Sequence, residues 1–284
     1  MPPMLKPAWV LPRSRDIDGG GQVRRLLREL GLATVCESAR CPNRGECFGS
    51  GTATFLILGE VCTRRCGFCA IAKGAPRPPD PNEPAAVAEA VRRLGLAYAV
   101  VTSVTRDDLA DGGASQFAAT IRAIRASCAA TSVEVLVPDF TGRPDALALV
   151  LAAGPAVLNH NIETVPRLYK QVRMGARYER SLELLARART MNPSIPTKSG
   201  IMVGLGESNE EVISVLGDMR THGVEIATIG QYLRPTAMNL PVLRYVTPPE
   251  FAEYKRAGME MGFSHVESGP LVRSSYHAHE AVPV

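Results

Sequence analysis

Aromatic residues are scarce, 5% of a 284-residue chain whose hydrophobic residues make up 45%, so any core is aliphatic. Charge of one sign is lacking too. Thirty-two Lys and Arg against 28 Asp and Glu leave a net charge of +4, which suits an acidic partner or an anionic ligand but falls short of a nucleic-acid binder. No long hydrophobic run exists: the longest, residues 146–158, is broken by Gly154-Pro155 and is too short to cross a bilayer. The opening Met1-Pro2-Pro3-Met4-Leu5-Lys6-Pro7 holds too much proline for a secretory signal. These absences predict an intracellular, cytoplasmic protein with neither membrane nor nucleic acid among its partners. Cysteine is nearly missing outside one stretch: six of the seven fall between residues 36 and 69. In a non-secreted chain such crowding argues for metal chemistry over disulfides. Cys128, by itself, reads as a buried structural thiol.

The crowded stretch contains two groups. Cys62-Thr63-Arg64-Arg65-Cys66-Gly67-Phe68-Cys69 spaces its thiols C-x3-C-x2-C and directly follows the β-like run 52–58, which places it in the loop leaving a strand end. Three thiols in a short loop hold three corners of a cubane iron–sulfur cluster and leave the fourth iron open. A structural zinc site would be closed by four protein ligands, and no second close thiol pair follows Cys69. The earlier group, Cys36, Cys41 and Cys47, is C-x4-C-x5-C, again three thiols without a fourth. Two clusters account for both groups. Zinc at the earlier one, completed by His160, His222, His265, His277 or His279, is the alternative.

From residue 53 onward, β-branched runs alternate with helical patterns. The expected strands are 53–58, 98–103, 133–137, 157–162, 198–203 and 226–229, with helices over 84–94, 115–126, 145–152, 166–169, 181–191, 210–222 and 248–261. Such alternation means βαβ units and a parallel sheet, and six units predict an open, partial (β/α)6 TIM-like barrel. Its site belongs at the C-terminal ends of the strands, where the second thiol loop lies. Before the barrel, Val23, Leu26, Leu27 and Leu30 repeat at helical spacing up to Gly31. The chain divides into an arm and cysteine-rich extension (1–52), the barrel (53–246) and a last helix with a tail closing over the site (247–284), all one integrated domain.

Several polar residues gather at the expected rim. Asn161 and Glu163 alternate onto one face after the fourth strand, Thr102 ends the second, and Arg173 and Lys198 are candidate partners for a ligand carboxylate, the Arg fork matching it better. Gly200-Ile201-Met202-Val203-Gly204-Leu205-Gly206-Glu207 brings glycine backbone to a strand end, where a flat ring can approach closely. G-x-G-x-x-G is absent there, so a dinucleotide site is not expected.

C-x3-C-x2-C with an aromatic residue before the last thiol resembles the radical S-adenosylmethionine superfamily, and 200–207 resembles its adenine-contacting G-x-I-x-G-x-x-E pattern, with Met202 in the isoleucine position. The two thiol groups in this order, with Arg273-Ser274-Ser275-Tyr276 near the end, resemble the lipoyl synthase family, as do Gly51-Thr52-Ala53-Thr54-Phe55 and Arg106-Asp107-Asp108. That resemblance implies two [4Fe–4S] clusters. Cys62, Cys66 and Cys69 would hold the one whose open iron chelates S-adenosylmethionine. Cys36, Cys41, Cys47 and a serine oxygen, Ser275 or failing that Ser274, would hold an auxiliary cluster that is consumed as sulfur source. Thr102, Asn161, Glu163, Arg173, Lys198, Gly204, Leu205 and Gly206 would contact S-adenosylmethionine. The implied reaction is insertion of two sulfurs at carbons 6 and 8 of a protein-bound octanoyl-lysine. The implied partners are an octanoylated lipoyl carrier domain (the acyltransferase subunits of 2-oxoacid dehydrogenases or the glycine-cleavage carrier protein), an electron donor such as flavodoxin or ferredoxin, and an iron–sulfur carrier for cluster rebuilding. Arg40, Arg44, Arg64 and Arg65 beside the thiols would dock an acidic carrier surface or tune cluster charge. Asn239 departs from the pattern, standing where the family usually carries histidine. A different radical sulfur inserter, and an electron-carrying iron–sulfur protein, are the rival readings.

Overall fold

Short β-branched runs form strands, most of them followed by a helix that covers the sheet, in a computed structural model that describes residues 5–11, 21–39, 41, 43, 46–47, 54–276 and 278. The strands are β1 (Ala33–Thr34), β2 (Thr54–Ile57), β3 (Val61–Cys62), β4 (Ala72–Lys73), β5 (Tyr98–Ser103), β6 (Ser132–Leu136), β7 (Val157–Asn159), β8 (Thr197–Val203), β9 (Ile226–Gln231) and β10 (His265–Gly269). The helices are α1 (Gly21–Glu29), α2 (Val35–Ser38), α3 (Glu83–Leu94), α4 (Ala114–Ser127), α5 (Pro144–Ala152), α6 (Tyr169–Val172), α7 (Tyr178–Met191), α8 (Asn209–Thr221) and α9 (Pro248–Glu260). Their starts carry legible signals: Ser208 and Glu211 close a capping box on α8, and Thr247 and Glu250 do the same on α9.

Eight strands make one sheet in the order β1-β2-β5-β6-β7-β8-β9-β10, while β3 and β4 pair separately. Every neighbour in the large sheet is parallel except β1, which runs antiparallel to β2. The end strands β1 and β10 do not pair with each other, so the barrel is open, as expected. The six expected strands are all present; the expected count of six is corrected by two more. β10 adds a seventh parallel strand against β9, and β1 a short antiparallel edge. β10 escaped sequence reading because only Val266 along it is buried, so no apolar period shows.

Two apolar clusters fill the layer between sheet and helices. One joins β2, β5 and β6 to α1, α3, α4 and α5; the other joins β8, β9 and β10 to α7, α8 and α9. Cys128 is half-buried at the margin of the first. Because the strands are parallel, their C-terminal ends share one rim, and the loops after β2, β5, β6, β7, β8 and β9 meet there. No helix among the described residues is long and apolar enough to cross a membrane.

Candidate active site

The segment after β2 holds Cys62 at the end of β3, and Cys66 and Cys69 in the loop between β3 and β4, and neighbouring segments fix it. Thr63 bonds the Thr105 carbonyl through its amide (3.1 Å) and its hydroxyl (2.9 Å). The Gly67 amide reaches the Val172 carbonyl at 2.9 Å. Asn239 donates from its amide nitrogen to the carbonyls of Gly67 (3.2 Å) and Cys69 (3.0 Å). Arg64 faces inward. It pairs with Asp107 (2.7 Å) and with fully buried Asp139 (2.6 Å), which also pairs with Arg180. The expectation that Arg64 docks a carrier is therefore corrected: its fork is spent on two carboxylates, whose attraction outweighs burial and keeps it charged. Arg65 is exposed; Arg40 and Arg44 lie outside the described residues.

All three thiols line a cavity of about 600 Å³ at the barrel mouth. Burial, opposed by the nearby Arg173 guanidinium, pushes the Cys66 thiol up to about 11, and burial raises Cys69 as well. A thiol so placed keeps its proton until a metal takes the charge. Opposite the thiols stand Asn161 and Glu163. They share a side as expected, but β7 ends at Asn159, so the segment beyond it, tied back to β8 by a bridge between Glu163 and Ile201, sets their direction. Asn161 Nδ2 donates to Glu163 Oε1 (3.2 Å) and to Ser274 Oγ (2.7 Å). Asn161 Oδ1 and Ser103 Oγ, both at this cavity, are buried without a partner. Such oxygens cost free energy unless a ligand completes them. Gly200 keeps the wall open beside Asn161: a Cβ there would lie 2.5 Å from Thr228 Oγ1 and 3.0 Å from Asn161 Oδ1. Orphan oxygens, an open glycine wall and three thiols fit a polar ligand chelated to a cluster.

The remaining candidates divide. Thr102 lines the cavity with its hydroxyl donating to the Leu136 carbonyl at 2.8 Å. Arg173 also lines it, held by Tyr169 Oη and Ser181 Oγ, both at 2.8 Å, and its second nitrogen donates to His160 Nε2 at 3.3 Å. His160 Nδ1 donates to the Val137 carbonyl at 2.8 Å, and burial, helped by Arg173, holds the ring neutral down to about 3.

Two expectations are corrected. Lys198 points inward but sits below the cavity, where its ammonium meets both carboxylate oxygens of Glu134 at 3.1 Å. Gly204, Leu205 and Gly206 do not line the cavity; the amides of Gly204 and Leu205 wrap the Glu207 carboxylate instead. The wall is made earlier along the chain, within β8, by Gly200, Ile201 and Met202.

Cys36, Cys41, Cys47 and Ser275 line a second, small cavity together with Thr54 and Arg273. Burial first, then the neighbouring thiols, pushes Cys36 up to about 11 and Cys47 up to about 12. The donor set is three thiols and one hydroxyl. Ser274 is directed elsewhere, to Asn161. Of the histidines weighed for zinc, His160 is bound to Val137 and Ser181, His222 to the Asp218 carbonyl, and His265 lies near Glu267. His277 and His279 lie outside the described residues. Side-chain bonds stitch the tail across this cavity: Asn43 to the Leu271 carbonyl (2.7 Å), Thr54 to Ser275 (2.9 Å) and Tyr276 to Glu46 (3.0 Å).

Sequence reasoning missed Thr54 and Asn239 as contacts of the thiol sites, and Lys6, Val10 and Leu11 at the mouth of the large cavity. Only the family resemblance singled out positions 54 and 239, and neither position announced a role.

The radical SAM superfamily matches residues 56–219. Lipoyl synthase from Rubrobacter xylanophilus is 60% identical over 97% of the chain and 86% of its own length. Lipoyl synthase from Nitrosospira multiformis is 57% identical, covering 98% and 90%, and that from Chloroflexus aurantiacus is 58% identical, covering 96% and 90%. Among solved structures, methylornithine synthase shares the fold at a TM-score of 0.55 and 13% identity over 94% of this chain and 86% of that one. The Escherichia coli coproporphyrinogen III oxidase does so at 0.52 and 14%, over 73% and 52%.

Proposed function

The chain belongs to the lipoyl synthase family of the radical SAM superfamily, and from that membership we infer the reaction and the division of labour among its residues. It inserts two sulfur atoms, at carbons 6 and 8, into an octanoyl chain carried on a lysine of a carrier protein. Two bound [4Fe–4S] clusters and S-adenosylmethionine supply the 5′-deoxyadenosyl radical and the sulfur, chemistry that no side chain provides.

Cys62, Cys66 and Cys69 hold the cluster that binds S-adenosylmethionine. Asn161 and Ser103 offer their unpartnered oxygens to its polar groups, Arg173 its guanidinium to the carboxylate, and Gly200 to Met202 a close wall for the adenine. Thr102 and Glu163 complete the polar side. Leu56, Val104 and Ile201 give an alkyl chain an apolar surface in the same cavity, and excluding water there protects a reactive radical. Cys36, Cys41, Cys47 and Ser275 hold the auxiliary cluster. The observation that supports this assignment best is their convergence on one cavity from opposite ends of the chain. Serine is a weaker iron ligand than thiolate, so its corner is the one most easily released.

The carrier is the acyltransferase subunit of a 2-oxoacid dehydrogenase or the glycine-cleavage carrier protein. Electrons come from a flavodoxin or ferredoxin, an iron–sulfur carrier rebuilds the consumed cluster, and the setting is the cytoplasm. The three-part division of the chain at residues 52 and 246 belongs to the same reading.

Anaerobic reconstitution, an iron count and the mass of an octanoylated lysine peptide test the whole reading. About eight irons per chain and a peptide that gains two sulfurs are expected. Zinc in either pocket, or deoxyadenosine formed with no sulfur transferred, overturns it.

A further inference from the structure

Thr54 opens β2, and its side chain lies between groups that the auxiliary cavity collects from distant parts of the chain. Its hydroxyl stands 2.9 Å from Ser275 Oγ, and its amide and hydroxyl both face the Cys36 sulfur. The residue is 6% exposed and lines both cavities. Its backbone is fixed by the parallel ladder, in register with Val100. Ser275, in contrast, stands in a turn of the tail, with no strand or helix to hold it. A serine oxygen that ligates iron has no proton to give and acts only as an acceptor, so the neighbouring hydroxyl must be the donor. Hydrogen bonds of this kind orient metal ligands and help retain the metal.

We propose that Thr54 is a positioning residue of the auxiliary site: its hydroxyl donates to the Ser275 oxygen and holds that weak corner of the cluster beside Cys36. The proposal rests on the assignment of Ser275 as the fourth ligand. Thr54 touches no reacting atom; it transfers the rigidity of a sheet strand to a ligand supplied by a turn. Its single proton also sets a limit, since donating to Ser275 withdraws it from the Cys36 sulfur.

The test uses full-length chain in which Cys62, Cys66 and Cys69 are replaced by alanine, so that all bound iron is auxiliary. After anaerobic reconstitution, iron release to a ferrous chelator is followed. Thr54→Val keeps shape and strand preference while removing the hydroxyl; Thr54→Ser keeps the hydroxyl; Thr54→Ala is a second hydroxyl-free variant should the valine chain fold poorly. Iron is expected to leave the two hydroxyl-free variants roughly fivefold faster than the parent and Thr54→Ser at the parent rate. In a Ser275→Ala background, removing the hydroxyl is expected to change nothing further. Release from Thr54→Val and Thr54→Ala at the parent rate, with Ser275→Ala fast, overturns the role of Thr54 alone. Release from Ser275→Ala at the parent rate overturns the ligand assignment beneath it.

Discussion

Asn239 shows how a single side chain can hold the thiol loop without touching a thiol. Its amide nitrogen spans the carbonyls of Gly67 and Cys69, and its oxygen accepts from Thr236 at 2.7 Å, so the group is fully committed. Asn239→Ala removes two donors worth about 1 kcal/mol each. The loop is expected to loosen while the barrel stays folded, and deoxyadenosine formation to fall roughly tenfold with cluster retention; chromatography of the nucleoside against bound iron checks this. Arg64 carries more. Arg64→Ala leaves buried Asp139 with Arg180 as its remaining cation, so the cost is about 3 kcal/mol, the lower end of what breaking a buried pair costs, visible as a lowered urea midpoint in the metal-free chain. The thiols were legible from sequence because their spacing is itself a chemical signature. Thr54 and Asn239 were not: their partners lie 221 and 170 positions away along the chain, and hydroxyls and amides are too common to signal anything unaided.

At the scale of elements, β-branched runs and capping boxes exposed the six central strands and their helices, because each pattern is local. Depth along a strand leaves no such trace. Lys198 and Gly200 share a face of β8, yet the first pairs with Glu134 below the cavity and the second forms its wall. Alternation reveals the face and says nothing about the level. The glycines after β8 misled for a related reason, since their amides serve the Glu207 carboxylate. The tail docks on β9 through another glycine: a Cβ at Gly230 would lie 2.2 Å from the Val272 carbonyl oxygen. Gly230→Ala is expected to push the tail off and halve the iron retained after reconstitution, with the helical circular dichroism signal unchanged.

For the molecule as a whole, the buried polar layer beneath the cavity sets the response to acid. His160 stays neutral in the folded chain down to about 3, whereas the unfolded chain protonates it near 6.5. Between those values the unfolded state binds the extra proton, so stability falls as pH drops. From pH 6.5 to 5 the loss is about 2 kcal/mol. Urea titrations at the two pH values are expected to differ by that amount, and His160→Gln to shrink the difference even if it weakens the fold.

The sheet's two loose ends have a further consequence. Cys36 follows β1 at one end and Ser275 follows β10 at the other, so the auxiliary pocket straddles the seam of an unclosed cylinder. Lifting the tail parts Asn43, Thr54, Asn161 and Glu46 from their hydrogen-bond partners while every rung of the parallel ladder stays intact. A pocket placed on a seam can thus be opened along it without breaking a single strand pair.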